Sequence, residues 1–424
     1  MTNLAWNVER VLPSAIADLH KLISIPSISS MPEHDADVAA CAEAVAGLFQ
    51  DLGASEVKFL EGGGKPAVWA NFPGPEGTPT VLLYAHYDVQ PTGDIEAWTS
   101  PAFEPTERDG RLYARGSADD KGGVALHLAA LRVFNGAPPV GVKVFIEGEE
   151  EIGSPTMPTL LDRYRDELAA DVYVVADSVN WEVGKPSLTT SLRGVADCHV
   201  TVSTLAEGLH SGQFGGVVPD ALTALCRLLA TLHDEAGNVA IEGLVSGPGP
   251  DLDYPEDRLL EETGLLEGVS QIGDGSVVER MWFKPSASVL AIDATPVAKA
   301  SNTLVPSARA KVSVRLAPGQ DPAAAAKALE EHLRSHAPWG ARVEIDSEQT
   351  GAPSRITLDG PRAEAAQAAF REAFGVEAVE IGCGGSIPIV AEFADRNPGS
   401  LVLVTAVTDP NSRMHGIDES LDLG

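Results

Sequence analysis

The sequence predicts an α/β fold: a mostly parallel sheet sandwiched by helices, interrupted by a smaller inserted domain of ferredoxin-like α+β type. Three observations carry this prediction. Short apolar runs alternate with helical periodicity through the first 188 residues, the order changes to strand, helix, two strands, helix, strand between 189 and 350, and alternation resumes from 351 to 424.

Near the N-terminus, Val8, Val11, Leu12, Ile16, Leu19 and Ile23 fall at helical spacing. The runs "PAVWANF", "TVLLYAHYDV", "VKVFIEG" and "DVYVVADS" have the length and apolar character of buried strands. Between the second and third, "DDKGGVALHLAALRVF" is a turn feeding a helix. Alternating units of this kind form a largely parallel sheet, and sites in such sheets gather at the carboxyl ends of strands. The polar clusters of this chain occupy those ends.

Across residues 189–350, "ADCHVTVST", "SASVLAIDA", "ARAKVSVRLA" and "ARVEIDSEQ" read as strands, with helices at "DALTALCRLLATLHD" and "DPAAAAKALEEHLRSHA". The stretch 236–285, rich in Gly, Pro and acid, reads as an insertion within that domain. Beyond 351, "DGPRAEAAQAAFREAFG" and "SLVLVTAVT" restore the first pattern. The expected partition is therefore 1–188 and 351–424 for one domain and 189–350 for the inserted one.

Composition narrows the function. With 61 acidic and 30 basic residues the formal charge is −31, which repels nucleic acid and anionic lipid. The four cysteines, Cys41, Cys198, Cys226 and Cys383, lie far apart, so neither a disulfide framework nor a cysteine zinc site is indicated, and a cytoplasmic location is expected. The first residues lack a basic segment followed by an apolar core, and no run approaches a membrane span.

The chemistry sits in five short motifs. In "LLYAHYDV", His86 and Asp88 lie two apart on a strand and share a face, so the carboxylate can fix the imidazole tautomer. "YARGSADDKGG" presents Asp119 and Asp120 before a helix, where acids also serve as N-caps. "KVFIEGEEEIGS" runs a strand into Glu149, Glu150 and Glu151; "DVYVVADS" ends in Asp177; and "DPNSRMHGIDE" places His415 in a polar turn. Brought together, these groups suit two divalent cations sharing one carboxylate, with mixed nitrogen and oxygen donors fitting zinc or manganese. Without cations, carboxylates so crowded would repel and take up protons.

"LLYAHYDVQP", "RGSADDKGG", "EGEEEIGS", "VADS", "HSGQFGG" and "HGIDE", in this order, resemble the co-catalytic di-zinc metallopeptidase family of carnosine dipeptidase, acetylornithine deacetylase, succinyl-diaminopimelate desuccinylase and aminoacylase. The resemblance implies a zinc-peptidase-like sheet domain with an inserted dimerisation or lid domain. It implies that His86 and Asp177 bind one metal, Glu151 and His415 the other, and that Asp119 bridges both through a cis Asp119–Asp120 peptide. Asp88 would orient His86. Glu150 would be the general base for a bridging hydroxide, while Glu149 has no assigned chemistry and is expected to be solvated or to help set the local field. His210 in "EGLHSGQFGG" would stabilise the oxyanion, reaching the partner subunit's site in a homodimer. Asn302, Arg315, Gly385 and Ser386 resemble substrate contacts, the arginine suiting a carboxylate.

Two features favour the dipeptidase branch of that family. Asp at position 177 resembles members that accept a free substrate amine, and "ERMWFKPSASVLAID" resembles the matching dipeptidase segment. The expected substrate is a small peptide, the alternative an N-acyl amino acid cleaved by the same site, and the remote alternative a non-catalytic binding homologue. Members of that family continue past the last motif into a closing helix, and the end at "SLDLG" has two readings, a truncated sequence or a shorter member.

Overall fold

Strand Thr80–His86 lies inside a six-stranded sheet because its residues are apolar on both faces, as a sheet covered on both sides requires. The computed structural model describes residues 4–385 and 387–424. Strand order is Glu56–Leu60, Ala67–Phe72, Gly141–Glu147, Thr80–His86, Val172–Val175, Leu401–Val404. The first two pairings are antiparallel and the remaining three parallel, so the sheet is mostly parallel with an antiparallel edge.

Side-chain alternation along Thr80–His86 decides what covers each face. Leu83 and Ala85 enter a cluster with Val38, Val45 and Phe49 of helix Asp35–Asp51 and Leu128 and Leu131 of helix Lys121–Val133. Tyr84 faces the other way, towards Phe145 and towards Phe393 of helix Pro388–Arg396, whose ring stacks on Tyr173 at 4.1 Å. Helix Leu4–Ile23 packs Leu19 and Ile23 against Ala125 of Lys121–Val133. That second helix begins at Asp120, whose carboxylate accepts the Gly123 N–H at 3.1 Å.

The chain divides into two compact units, Met1–Thr190 with Ile356–Ile381 and Ile387–Gly424, and Ser191–Arg355 with Gly382–Ser386. In the second unit an antiparallel sheet runs Ser286–Asp293, Ser307–Leu316, Gly194–Ser203, Arg342–Gly351. Ala308, Ala310, Val312, Val314 and Leu316 alternate onto one face, against Leu225 and Leu228 of helix Ala221–Ala230 and Leu329 and Leu333 of helix Pro322–Ser335. Strand, helix, two strands, helix, strand in this order is the ferredoxin-like arrangement. No helix among the described residues is long and apolar enough to cross a membrane.

Leu228 has no solvent exposure between helix and sheet. Leu228→Ala is expected to destabilise the second unit by about 2–5 kcal/mol, seen as a lower urea midpoint for that transition.

Candidate active site

The parallel strands of the first unit end together, and their last residues carry the polar groups. Strand Thr80–His86 ends in His86, which is fully buried, and the following turn presents Asp88, also without exposure. Strand Gly141–Glu147 runs into a turn over Glu150–Ile152, and Val172–Val175 is followed by Asp177. Asp119 sits where the chain enters helix Lys121–Val133, and the Asp119–Asp120 peptide is cis.

One donor atom from each of His86, Glu150 and Asp177 lies within 4.8 Å of the others, and Asp119, Glu151 and His415 form a second group by the same measure. The two groups meet at Asp119. Its Oδ1 lies 3.1 Å from His86 Nε2 and its Oδ2 3.0 Å from His415 Nε2. His86 Nε2 is 3.9 Å from Asp177 Oδ1, and His415 Nε2 is 3.2 Å from Glu151 Oε2. Donors around a tetrahedral ion with bonds of about 2.1 Å stand roughly 3.4 Å apart, so these separations and this donor set fit divalent metals.

Asp88 reaches the site from behind. Its Oδ1 lies 3.4 Å from His86 Nδ1, which is also 3.0 Å from the Asp88 carbonyl. Its two carboxylate oxygens accept the N–H groups of Glu150 and Glu151 at 3.2 and 3.1 Å. One carboxylate therefore fixes both the imidazole and the turn carrying two of the three glutamates. Glu149 turns away from the others. It is 4% exposed, and it accepts from Lys65 N–H at 2.8 Å and Thr156 Oγ1 at 2.5 Å. The expectation of a solvated Glu149 is thereby corrected: a neighbouring loop covers it, passing so close that a side chain on Gly64 would collide with its carboxylate.

Crowding moves the proton affinities. Burial pushes the Glu150 carboxyl up to about 7, with Glu151, Asp88 and Asp119 adding to the effect and His86 opposing it. Burial, then the neighbouring Glu150, raises Asp177 well above the usual carboxylate range. Burial alone would lower His86, yet its hydrogen bonds to Asp119 and Asp88 carry it well above the ordinary imidazole value. Hydrogen bonds to Asp119 and Glu151 take His415 up to about 10, although its side chain is 58% exposed and water weakens those pairs. For Asp119, burial is outweighed by His415 and His86, and its carboxyl is held well below the usual range. Groups crowded in this way bind protons more readily unless cations balance their charge.

Three neighbours escaped the sequence reading although they stand inside the quoted motifs. Gln90 donates from Nε2 to Glu151 Oε2 at 2.7 Å and from its backbone to Oε1 at 3.1 Å. Arg115 and Glu419 form a buried pair at 2.6 Å. The remaining candidates belong to the second unit. His210 is exposed, and its Nδ1 accepts the Gly212 N–H at 3.1 Å. Asn302 is exposed, its carbonyl accepting from Ser211 N–H at 2.9 Å, and Arg315 stands opposite Ser286 in the sheet. Gly385 follows strand Val379–Cys383, and Ser386 lies outside the described residues.

The family model for Peptidase family M20/M25/M40 matches residues 82–424. The chain is 35% identical over 427 residues to the cysteinylglycine-S-conjugate dipeptidase of Corynebacterium striatum, covering 99% of this chain and 93% of that protein. It is 28% identical over 346 residues to the Beta-Ala-His dipeptidase of Homo sapiens, covering 77% of this chain and 68% of that one. Among solved structures, the di-peptidase Dug1p from Saccharomyces cerevisiae is similar with a TM-score of 0.86 at 24% identity, over 100% of this chain and 94% of that one. Human carnosine dipeptidase 1 follows with 0.84 at 24%, over 99% and 94%. At these identities the structural likeness speaks for the fold.

A group whose pKa is raised on folding contributes stability below its unfolded value and loses it as pH climbs through the folded one. For Glu150 that window runs from the ordinary 4.5 to about 7, and for His415 from 6.5 to about 10. Chelated protein is therefore expected to melt at a lower temperature at pH 8 than at pH 6. Added divalent metal should reverse that order, because it displaces the protons; scanning fluorimetry with and without metal checks both.

Proposed function

Because this chain belongs to peptidase family M20/M25/M40, and so is a metallopeptidase that uses divalent metal, we propose that it hydrolyses the peptide bond of free dipeptides at a two-metal centre. The observation that carries this reading is Asp119 between His86 and His415, one oxygen to each, beside the buried Glu150. In this proposal His86 and Asp177 hold one ion, Glu151 and His415 the other, and Asp119 both. Zinc is favoured by the nitrogen and oxygen donors, with manganese also suited. When bound, such ions would supply Lewis acidity, which polarises a scissile carbonyl and lowers the pKa of water.

The chain's own groups do the rest. Glu150, with a pKa brought towards neutrality by burial, is the general base that takes the water's proton and later gives it to the leaving amine. Its carboxylate has no hydrogen-bond partner among the described residues, so it is available to move a proton. Asp88 keeps His86 in one orientation and holds the Glu150 turn. For His210, acceptance of a backbone N–H at Nδ1 leaves the proton on Nε2, which suits a donor to the oxyanion.

In the second unit, burial and then the neighbouring Arg315 bring the Arg193 guanidinium down to about 10. Two cations this close suit an anion, and we assign Arg315 to the substrate carboxylate, with Asn302, Gly385 and Ser386 as further substrate contacts. Strand Ser286–Asp293 is an edge strand bearing exposed Val289, Leu290 and Ile292, which supports a homodimer formed through this unit. Four free cysteines accord with a cytoplasmic enzyme. The relatives' names, a cysteinylglycine-S-conjugate dipeptidase and a Beta-Ala-His dipeptidase, support a small dipeptide as substrate over an N-acyl amino acid.

Glu150→Gln should keep both metals by calorimetric titration yet lose about 10²- to 10⁴-fold in kcat; unchanged turnover would reassign the base. A panel of free dipeptides and N-acetylated or N-succinylated amino acids, with zinc or manganese restored after chelation, should show turnover of the dipeptides. Cleavage of the acylated amino acids alone would sink the dipeptidase reading.

A further inference from the structure

Glu419 stands four residues beyond His415 and has no solvent exposure. Its carboxylate accepts four hydrogen bonds, all from one short segment. Oε2 takes Arg115 Nη1 at 2.6 Å and the Gly116 N–H at 3.0 Å, while Oε1 takes the N–H groups of Ala118 at 2.9 Å and Asp119 at 3.1 Å. Arg115 carries the restraint onward, donating from Nη2 to the carbonyls of Pro91 and Gly416, each at 3.1 Å. Gly416 adjoins His415, and Pro91 adjoins Gln90, whose amide holds Glu151. One buried ion pair therefore ties together three loops, those of Asp119, of His415 and of the support for Glu151.

The loop around His415 needs such a restraint. Arg413, His415 and Asp418 have φ of 53°, 60° and 58°, a left-handed region that non-glycine residues seldom adopt and keep only where their surroundings over-determine it. A buried ion pair adds little stability over apolar side chains of the same size, so its use here is geometric. We infer that Glu419, with Arg115, is a positioning residue that sets Asp119 against His415 and so tunes metal affinity at the Asp119, Glu151 and His415 group. This rests on the metal centre proposed above.

Glu419→Gln keeps the shape but turns an amide N–H₂ towards N–H donors, so it cannot accept all four bonds. Metal-depleted protein titrated calorimetrically with Mn²⁺ should bind two equivalents in the wild type. In the variant, one position should be little changed and the other weakened about 10- to 100-fold. Visible spectra of the Co²⁺-loaded protein should keep one signature and lose the other, and excess metal should restore kcat with KM unchanged. Arg115→Lys keeps a cation beside Glu419 but loses the fork, so it should weaken the same position less, and it serves if Glu419→Gln does not fold. Wild-type affinity at both positions in the folded variant overturns the inference, as does equal weakening of both. Wild-type protein that binds no metal would overturn the metal centre itself, and this inference with it.

Discussion

Asp119 carries one carboxylate between two imidazoles, His86 at 3.1 Å and His415 at 3.0 Å, and the neighbouring groups take their places from that contact. His86 comes from a strand end in the first half of the chain and His415 from a turn near its close, so the contact fixes how the two stretches of the first unit meet. Around it stand Glu150, Glu151, Asp177 and Asp88, more negative charge than two imidazoles can balance. A low-dielectric pocket with such an imbalance must bind protons or cations. The raised proton affinities of Glu150 and Asp177 are the proton half of that alternative.

Rigid elements deliver the groups, and short loops adjust them. Parallel strands place His86, the Glu150–Ile152 turn and Asp177 along one edge of the sheet, since their carboxyl ends point the same way. Asp88 then sets orientation by accepting from two backbone N–H groups of the glutamate turn while facing His86. Behind the next helix, Lys121 buries its ammonium on the carbonyls of Leu22 and Ile25 at 2.9 and 2.7 Å, tying the Asp119–Asp120 corner to the first helix. Asp88 meets backbone as well as side chain, which holds a ligand's position together with its rotamer, whereas Lys121 anchors backbone alone.

Much of this was legible in the sequence, for reasons that differ by residue. His86 and Asp88 were readable because a strand repeats every two residues and their spacing puts them on one face. Strand and helix runs were readable by period, and with them the sheet and the ferredoxin-like unit. The solvated reading of Glu149 failed because a triplet of acids has no local feature that separates a solvated carboxylate from one covered by a loop. Its burial depends on Gly64 and Lys65, far away in the chain. Glu419 and Gln90 lay within quoted motifs, yet nothing nearby in sequence shows which donors a glutamate will meet.

By itself the sequence determined the periodicity of the elements, the charge balance and the inventory of donors, because these depend on residue type and on spacing within a few positions. Only the tertiary structure decided that Asp119 gives one oxygen to each histidine, that the three glutamates divide between site and scaffold, and that Glu419 closes on the Asp119 turn. Such contacts join residues 33 to 300 positions apart. Packing sets their distances, and a change of a few tenths of an ångström separates a shared ligand from a hydrogen bond to nothing.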